Sequence, residues 1–416
     1  MADLSVKYAG MDFKNPIIGG SGPNYDTVDG CRAAVEAGVA GFILKSMAPG
    51  YLGRAGYQHA VPRFRVVSRF QPYARWNPEL GEENMDIHSA GEVGSTWGEE
   101  GYVEFAHKVR QVVGDKAKIG ISTFGIEFGA PRDTSPEEVY DKHFDILAQI
   151  LANGDGDFVE LPLANSAFNL LDVPELITKA KKKFPVPVTV KLSDPFDFPV
   201  VERTKMLQDA GVDGITMFDN TMALDFDIET RRFPFRDTWQ YFPGGQTMSW
   251  VNACIARCRL SGVTIPVGGS FGVWEWQHVI KLILSGADIV QVCRKIMLRG
   301  YGVVTEWLTE INNWLDEHNV QSIADLKGGI FDNFDARYRQ VVREEPLERG
   351  GIPSLQAVVD PSKCEGCVHW CVPSCGYFAI KPKGGKVEID DSRCAVCGTC
   401  EGTCPFEAIT FRPRIA

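Results

Sequence analysis

The sequence predicts an α/β protein: a (β/α)8 TIM barrel followed by a small cysteine-rich module. Three observations predict it. Short Val/Ile-rich runs alternate with helix-like stretches eight times within about 300 residues. Ala-Gly or Ser-Gly pairs stand just before the next run at Ala37-Gly38, Ala210-Gly211 and Ser285-Gly286, where glycine supplies the left-handed turn that ends a helix. Eight of the twelve cysteines crowd between Cys364 and Cys404, in two runs thirty residues apart.

The strands fall at residues 16–21, 41–45, 118–123, 158–161, 186–192, 214–218, 264–268 and 289–293. Their near-continuous apolar character suits strands buried on both faces. The helices between them fall at 27–37, 101–113, 136–153, 174–183, 199–210, 249–261, 274–284 and 303–319. Several open on a cap or an N-terminal proline, as in Ser135-Pro136-Glu137-Glu138. An open doubly wound sheet is the alternative, but eight units in this length favour closure. A polar, turn-rich stretch at 332–361 reads as a linker. The barrel is therefore placed at 1–335, and the linker with the module at 336–416.

A net charge of −11, with no basic cluster beyond Lys181-Lys182-Lys183, argues against nucleic acid or an anionic membrane surface as partner. The lysine triplet reads as a solvated helix end. No apolar run approaches the ~18 residues of a membrane span. Met1-Ala2-Asp3-Leu4-Ser5 lacks a basic-then-apolar leader, so a cytoplasmic location is expected. In such a chain, cysteines crowded at C-x2-C spacing point to metal thiolates and not to disulfides.

Barrel chemistry sits on the loops after each strand. Two are long, 46–99 and 219–248, and both are rich in arginine and aromatic residues. Loops of that length act as lids or partner surfaces, although packing within the loop explains any single one of those side chains better. Strand seven runs into Val267-Gly268-Gly269-Ser270-Phe271-Gly272, and strand eight ends in Val292-Cys293-Arg294. Unshielded amides at that corner are where barrels bind phosphate. Lys45 closes strand two and Lys191 lies inside strand five. A lysine in an apolar strand is costly unless paired. Two aimed at one barrel mouth predict an anionic or electron-rich ligand, with two satisfied structural lysines as the alternative. Gly20-Ser21-Gly22-Pro23 is not an intact G-x-G-x-x-G, so nicotinamide chemistry is expected on a separate chain.

The second cysteine run, Cys394-x2-Cys397-x2-Cys400-x3-Cys404-Pro405, has the bacterial-ferredoxin spacing. There, three thiolates hold one 4Fe–4S cluster and the fourth reaches to its neighbour. The first run, Cys364, Cys367, Cys371 and Cys375, supplies the reciprocal set. It carries three residues between Cys367 and Cys371 where two are usual, a bulge that a cluster tolerates. Four-cysteine zinc sites are the alternative. A bacterial-ferredoxin-like two-cluster domain beside a barrel of catalytic size predicts electron traffic.

Asn15-Pro16, Leu44-Lys45-Ser46, Val190-Lys191-Leu192, Asp219-Asn220-Thr221, the Gly268-Gly269 turn and Ser285-Gly286-Ala287-Asp288 carry a family likeness. The barrel resembles the dihydroorotate dehydrogenase type of FMN protein. With the two-cluster tail, the chain is similar to the catalytic part of dihydropyrimidine dehydrogenases. That resemblance implies FMN across the barrel mouth, its phosphate on Gly269, Gly272, Cys293 and Arg294 beside Gly268. Lys45 and Lys191 would approach the ring and ribityl chain, while Ser21, Ser122, Asn220 and Gly245 would add polar contacts. The loop after strand four departs from the family. Pro162 stands where an Asn is expected, and the loop has no Cys to donate a proton. Ser166 is the nearest candidate acid, with Asn165, Asn169, Tyr57 or His59 to share the task. His369 is read as a surface residue and Cys31, Cys254 and Cys258 as buried apolar residues.

The expected function is an FMN and iron–sulfur oxidoreductase acting at a C=C bond of a small cyclic substrate, with Ser166, Asn165 and Lys191 as catalytic residues. A pyrimidine base is the family default. A carboxylated or aromatic compound is the alternative, and an electron-relay subunit is a second reading. The implied partners are a separate electron-donor subunit or ferredoxin, within a homo- or hetero-oligomer.

Overall fold

Eight parallel strands close into a barrel in strict chain order. Strands one to eight are Ile17–Gly19, Gly41–Ile43, Lys118–Ser122, Phe158–Leu163, Val188–Leu192, Gly214–Met217, Val267–Gly269 and Ile289–Val292. Strand eight pairs back onto strand one through Val290 and Ile17, which closes the ring. The computed structural model describes residues 2–49, 64–68, 85–89, 94–123, 135–163, 168, 171–193, 199–219, 222–223, 228–231, 240–241, 247–333 and 355–413. It divides into two compact units, Met1–Phe334 and Asp335–Ala416. Among the described residues, no helix is long and apolar enough to cross a membrane.

All eight strands stand where expected with their ends shifted by up to three residues, and two of the shifts have identifiable reasons. Strand seven begins at Val267 and not at 264, because the amides of Thr264 and Ile265 are taken by Gln208 Oε1 at 2.9 and 3.0 Å. Strand four continues past Leu161 through Pro162 to Leu163. Its pairing with strand three ends at Glu160, while its pairing with strand five runs on. Pro162 therefore sits where only one neighbour remains, a place where a missing N–H is tolerated.

Three of the barrel helices begin on side-chain caps. Thr27 accepts from the Gly30 amide, Ser135 from Glu138 and Asp172 from Glu175, each satisfying an otherwise orphaned donor. A repeated device locks the strands from below. Asp157, Asp213 and Asp288 stand just before strands four, six and eight, and each accepts the amide of a residue in the preceding odd strand. The acceptances run from Ile119 at 2.7 Å, Val188 at 2.7 Å and Val267 at 2.8 Å. Each carboxylate also pairs with a base near the end of the helix that precedes that odd strand: Arg110, Lys181 and Arg259.

An N-terminal hairpin, Val6–Tyr8 with Met11–Phe13, was not foreseen. It seals the base of the barrel. A Cβ at Gly214 would meet the Tyr8 ring at 2.7 Å, and one at Gly41 would meet Phe13 at 2.9 Å. The two long loops join in a four-stranded antiparallel sheet, in the order Met222–Ala223, Gln240–Tyr241, Met85–Ser89, Phe64–Ser68.

The second unit is built as two halves. Leu355–Val359 pairs with Ile409–Pro413, and Ile380–Lys383 forms a hairpin with Lys386–Ile389. The first of these strands lies inside the stretch read as linker. Leu355 is exposed and the other four residues are half-buried, so the sequence carries no strong alternation there. Asp360 and Asp390 each fold back onto a serine two residues on, Ser362 and Ser392. Ala379 and Ala408 each donate their amide to the last cysteine of a run, Cys375 and Cys404. The extra residue of the first run falls at His369-Trp370, just ahead of the short helix Cys371–Ser374, and Trp370 is 56% exposed. The insertion is pushed outward.

Gly366, between Cys364 and Cys367, has φ +65, and a Cβ there would lie 2.0 Å from the Gly385 carbonyl oxygen. Backbone cannot yield as a side-chain tip can. Gly366→Ala is expected to destabilise the module by about 1–3 kcal/mol, read as lowered iron retention and an earlier melting transition of the module.

Candidate functional site

The barrel mouth collects opposed charges at the ends of strands two, five, six and eight. Lys191, in the all-buried strand Val188–Leu192, extends its Nζ to Asp219 Oδ1 at 3.0 Å. Burial works against the Lys191 ammonium, but the carboxylates of Asp219 and Glu160 outweigh it and lift the pKa above its usual value. Burial likewise opposes the Asp219 carboxylate, and the charges of Lys191, Lys45 and Arg294 reverse that and hold it below its usual range. The mouth thus gathers three cations around one carboxylate. Lys45 itself is buried, its backbone amide bonded to the Tyr25 carbonyl at 3.1 Å.

One layer deeper lies a group that sequence reasoning passed over. Glu160 of strand four is fully buried. Its Oε2 accepts from Gln291 Nε2 at 2.6 Å and from Thr216 Oγ1 at 3.3 Å. Gln291 Nε2 also reaches Thr216 Oγ1 at 3.1 Å, and Tyr8 of the basal hairpin approaches that oxygen at 3.4 Å. Burial raises the Glu160 pKa, and Lys191 only partly offsets it. Glu160 Oε1 and Gln291 Oε1 are buried without a partner. The signal was available: a glutamate between Val159 and Leu161 breaks an apolar strand as Lys191 does.

Three serines form a hydroxyl chain across strands one to three. Ser21 Oγ and Ser46 Oγ lie 2.9 Å apart, and Ser46 Oγ and Ser122 Oγ also 2.9 Å. Ser122 is fully buried, and Ser21 is the partly open end. At the strand seven to eight corner, Gly268 and Gly269 are ladder residues and not a turn. Packing explains both. A Cβ at Gly268 would meet Ile289 and Thr216 at 3.1 Å, and one at Gly269 would meet Leu282 at 2.6 Å. The turn follows at Phe271 and Gly272, both with positive φ. Cys293 opens a short helix, Arg294–Arg299, absent from the sequence reading. Its thiol packs against the strand-one loop, where a Cβ at Gly22 would meet Sγ at 2.2 Å. Asn165, Ser166, Asn169, Asn220, Gly245, Tyr57 and His59 lie outside the described residues.

The residues of the mouth fit an anionic, hydrogen-bonding group such as FMN. Gln291 Oε1, an unpartnered buried acceptor, and Lys191 Nζ lie 3.3 and 3.4 Å from where a Cβ on Gly20 would stand. Glycine at 20 keeps open a recess that holds one acceptor and one cation.

In the second unit the cysteines sort across the two runs. Cys375, Cys394, Cys397 and Cys400 line one cavity with Tyr377, Ala379, Ile380, Ile389 and Phe411. Burial, then the neighbouring Cys367, Cys404 and Cys364, raise the pKa of Cys371. Each group therefore combines three cysteines of one run with the fourth of the other. Burial pushes the Cys400 thiol up to about 11, so thiolate formation there calls for a metal's charge. Among the described residues, no three His, Cys, Asp or Glu side chains stand at the spacing of a single metal ion.

Comparison with known proteins adds two findings. The family described as "4Fe-4S binding domain" matches residues 387–410. The chain is also similar to proteins named "Dihydroorotate dehydrogenase B (NAD(+)), catalytic subunit". That of Pyrococcus abyssi is 25% identical over 340 residues, covering 78% of this chain and 98% of the relative. That of Pyrococcus furiosus is 23% identical over 339 residues with the same coverage. That of Shouchella clausii is 30% identical over 158 residues, covering 38% of this chain and 51% of the relative.

Proposed function

We propose that this chain is an FMN- and iron–sulfur-dependent oxidoreductase that transfers two electrons at a C=C bond of a small cyclic substrate of the pyrimidine class. The observation that carries this reading is the Lys191–Asp219 pair, with Lys45 and Arg294, at the mouth of a closed barrel, in one chain with two crossed groups of four cysteines. The relatives' names support a pyrimidine-type ring. They also support a partner chain that deals with the nicotinamide, since they are called catalytic subunits of an NAD(+) enzyme. Two 4Fe–4S clusters would be held by Cys364, Cys367, Cys371 and Cys404, and by Cys375, Cys394, Cys397 and Cys400.

FMN, when bound, supplies a two-electron store matched to one-electron clusters. The residues do the rest. Lys191, kept charged by Asp219, offers a fixed cation in a water-poor site, where such a charge counts most. Arg294, Cys293, Gly269 and Gly272 would hold the phosphate end. Lys45, Ser21, Ser122, Asn220 and Gly245 would line the remainder, Ser122 acting through Ser46. Ser166 would hand a proton to the substrate carbon, with Asn165 as a hydrogen-bonding partner in that task. A dihydropyrimidine dehydrogenase-like reaction is the specific form proposed.

A second reading has one observation behind it. Pro162 pairs with Lys191 in the strand ladder, at the place where the family likeness calls for an asparagine. The chain would then relay electrons without transforming a substrate. Anaerobic purification separates the two. Bound FMN that a low-potential donor bleaches, with uracil or thymine turned over by the isolated chain, supports the enzyme. Reducible FMN without turnover of any unsaturated ring leaves the relay. A protein with no flavin sinks both.

A further inference from the structure

Interior layers of a closed barrel draw their side chains from alternate strands and are usually apolar. Here strands four, six and eight contribute Glu160, Thr216 and Gln291 to one layer below the mouth, and every one of them is buried. Polar groups placed there cost free energy unless hydrogen-bonded. Their bonds are the reciprocal set described above, in which Thr216 donates once and accepts from Gln291 and Tyr8. One oxygen of Glu160 and one of Gln291 nevertheless stay unpartnered. A purely structural layer has no need of a carboxyl, since an amide or an apolar residue would fill the space at less cost.

What lies around Glu160 gives the carboxyl a task. Lys191 comes from strand five, with Thr216 as its register partner on strand six. Asp219 follows strand six at the rim, Gln291 faces from strand eight and Tyr8 from the hairpin below. Lys191 is the one cation among these groups: it is ion-paired with Asp219 at the rim, its Nζ shares the Gly20 recess with Gln291 of the Glu160 layer, and it interacts electrostatically with Glu160. We propose that Glu160 is a positioning residue for Lys191, and that its gain or loss of a proton sets how strongly the barrel mouth favours an electron-rich ring. This rests on the FMN reading above. With Glu160 protonated, Asp219 alone balances Lys191, and the mouth favours the reduced, more negative cofactor. With Glu160 ionised, a second negative charge compensates the ammonium and that preference weakens.

The test uses the full-length holoprotein and follows the midpoint potential of bound flavin against pH. It compares wild type, Glu160→Gln, Lys191→Met and the double variant. Glutamine copies the protonated carboxyl at every pH. Wild type and Glu160→Gln are expected to coincide at low pH and to separate as pH rises. Glu160→Gln should then favour reduced flavin by about tenfold, or ~30 mV for a two-electron couple. In the Lys191→Met background, Glu160→Gln should change nothing. Thr216→Val removes one donor to Oε2 and should move the separation to higher pH, which provides a readout if Glu160→Gln folds poorly. Bound flavin whose potential is the same with and without Glu160 at all pH overturns the proposal. So does an equal shift in both Lys191 backgrounds. Absence of FMN from all the proteins overturns the FMN reading itself.

Discussion

Replacing Cys404 with serine is expected to abolish the cluster of the first cysteine run and to spare that of its own run. Cys404 closes the C-x2-C-x2-C-x3-C-P series, and in that spacing the fourth thiolate serves the neighbouring cluster. The spatial grouping agrees. Cys404 lies among Cys364, Cys367 and Cys371, while Cys375 lies with Cys394, Cys397 and Cys400. A four-iron cluster needs four thiolates, so iron should fall from about eight to about four atoms per chain. Cys375→Ser should produce the same iron count with the other cluster lost. Electron paramagnetic resonance of the two reduced variants should show two different single-cluster signals. If both variants lose the same cluster, the crossed assignment is wrong. Electron delivery to the barrel should fail in one variant more than in the other.

The sequence showed more of the scaffold than of the site. Strands buried on both faces announce themselves as unbroken apolar runs, and glycine stops such as Gly38 and Gly286 mark where each helix ends. That information is local. The basal hairpin was missed because Val6–Tyr8 and Met11–Phe13 are three residues each, too short for any period to appear. The four-stranded loop sheet was missed because its two hairpins join across loops more than a hundred residues apart, and no local pattern encodes a pairing at that range. Lys191 was visible as a charge in an apolar strand. Glu160 gave the same signal one strand earlier, yet its meaning depends on Gln291, 131 residues away. Gly268 and Gly269 read as a loose turn, and only the facing Leu282 and Thr216 show why side chains are excluded there. Charges can be picked out from a strand one at a time, but which of them face one another is fixed by barrel closure.

Lys191→Met should lower turnover by about 10²–10³-fold, the usual cost of losing one preorganised electrostatic contact, with FMN still bound through the strand seven to eight corner. Methionine keeps most of the lysine stem's volume, so the strand-five wall should stay packed. The stranded charge is tolerable. Asp219 sits at the rim with its side chain 35% exposed and retains the fields of Lys45 and Arg294. Glu160, whose burial already favours its protonated form, loses only a reason to ionise. Stability should show which contribution has gone. In the wild type, Lys191 titrates above its ordinary 10.5. Its stabilising share is therefore complete below that pH and fades as pH rises through the higher folded value. Asp219 titrates below its ordinary 3.8, so its share is complete above that pH and is lost as pH falls through the lower folded value. The stability gap between wild type and Lys191→Met should be widest between about pH 4 and 10 and should narrow at both ends. Denaturant titrations at pH 3, 7 and 11 would measure it. A gap independent of pH would mean that Lys191 serves as packing and not as charge, and the electrostatic role assigned to it at the mouth would fall with that result.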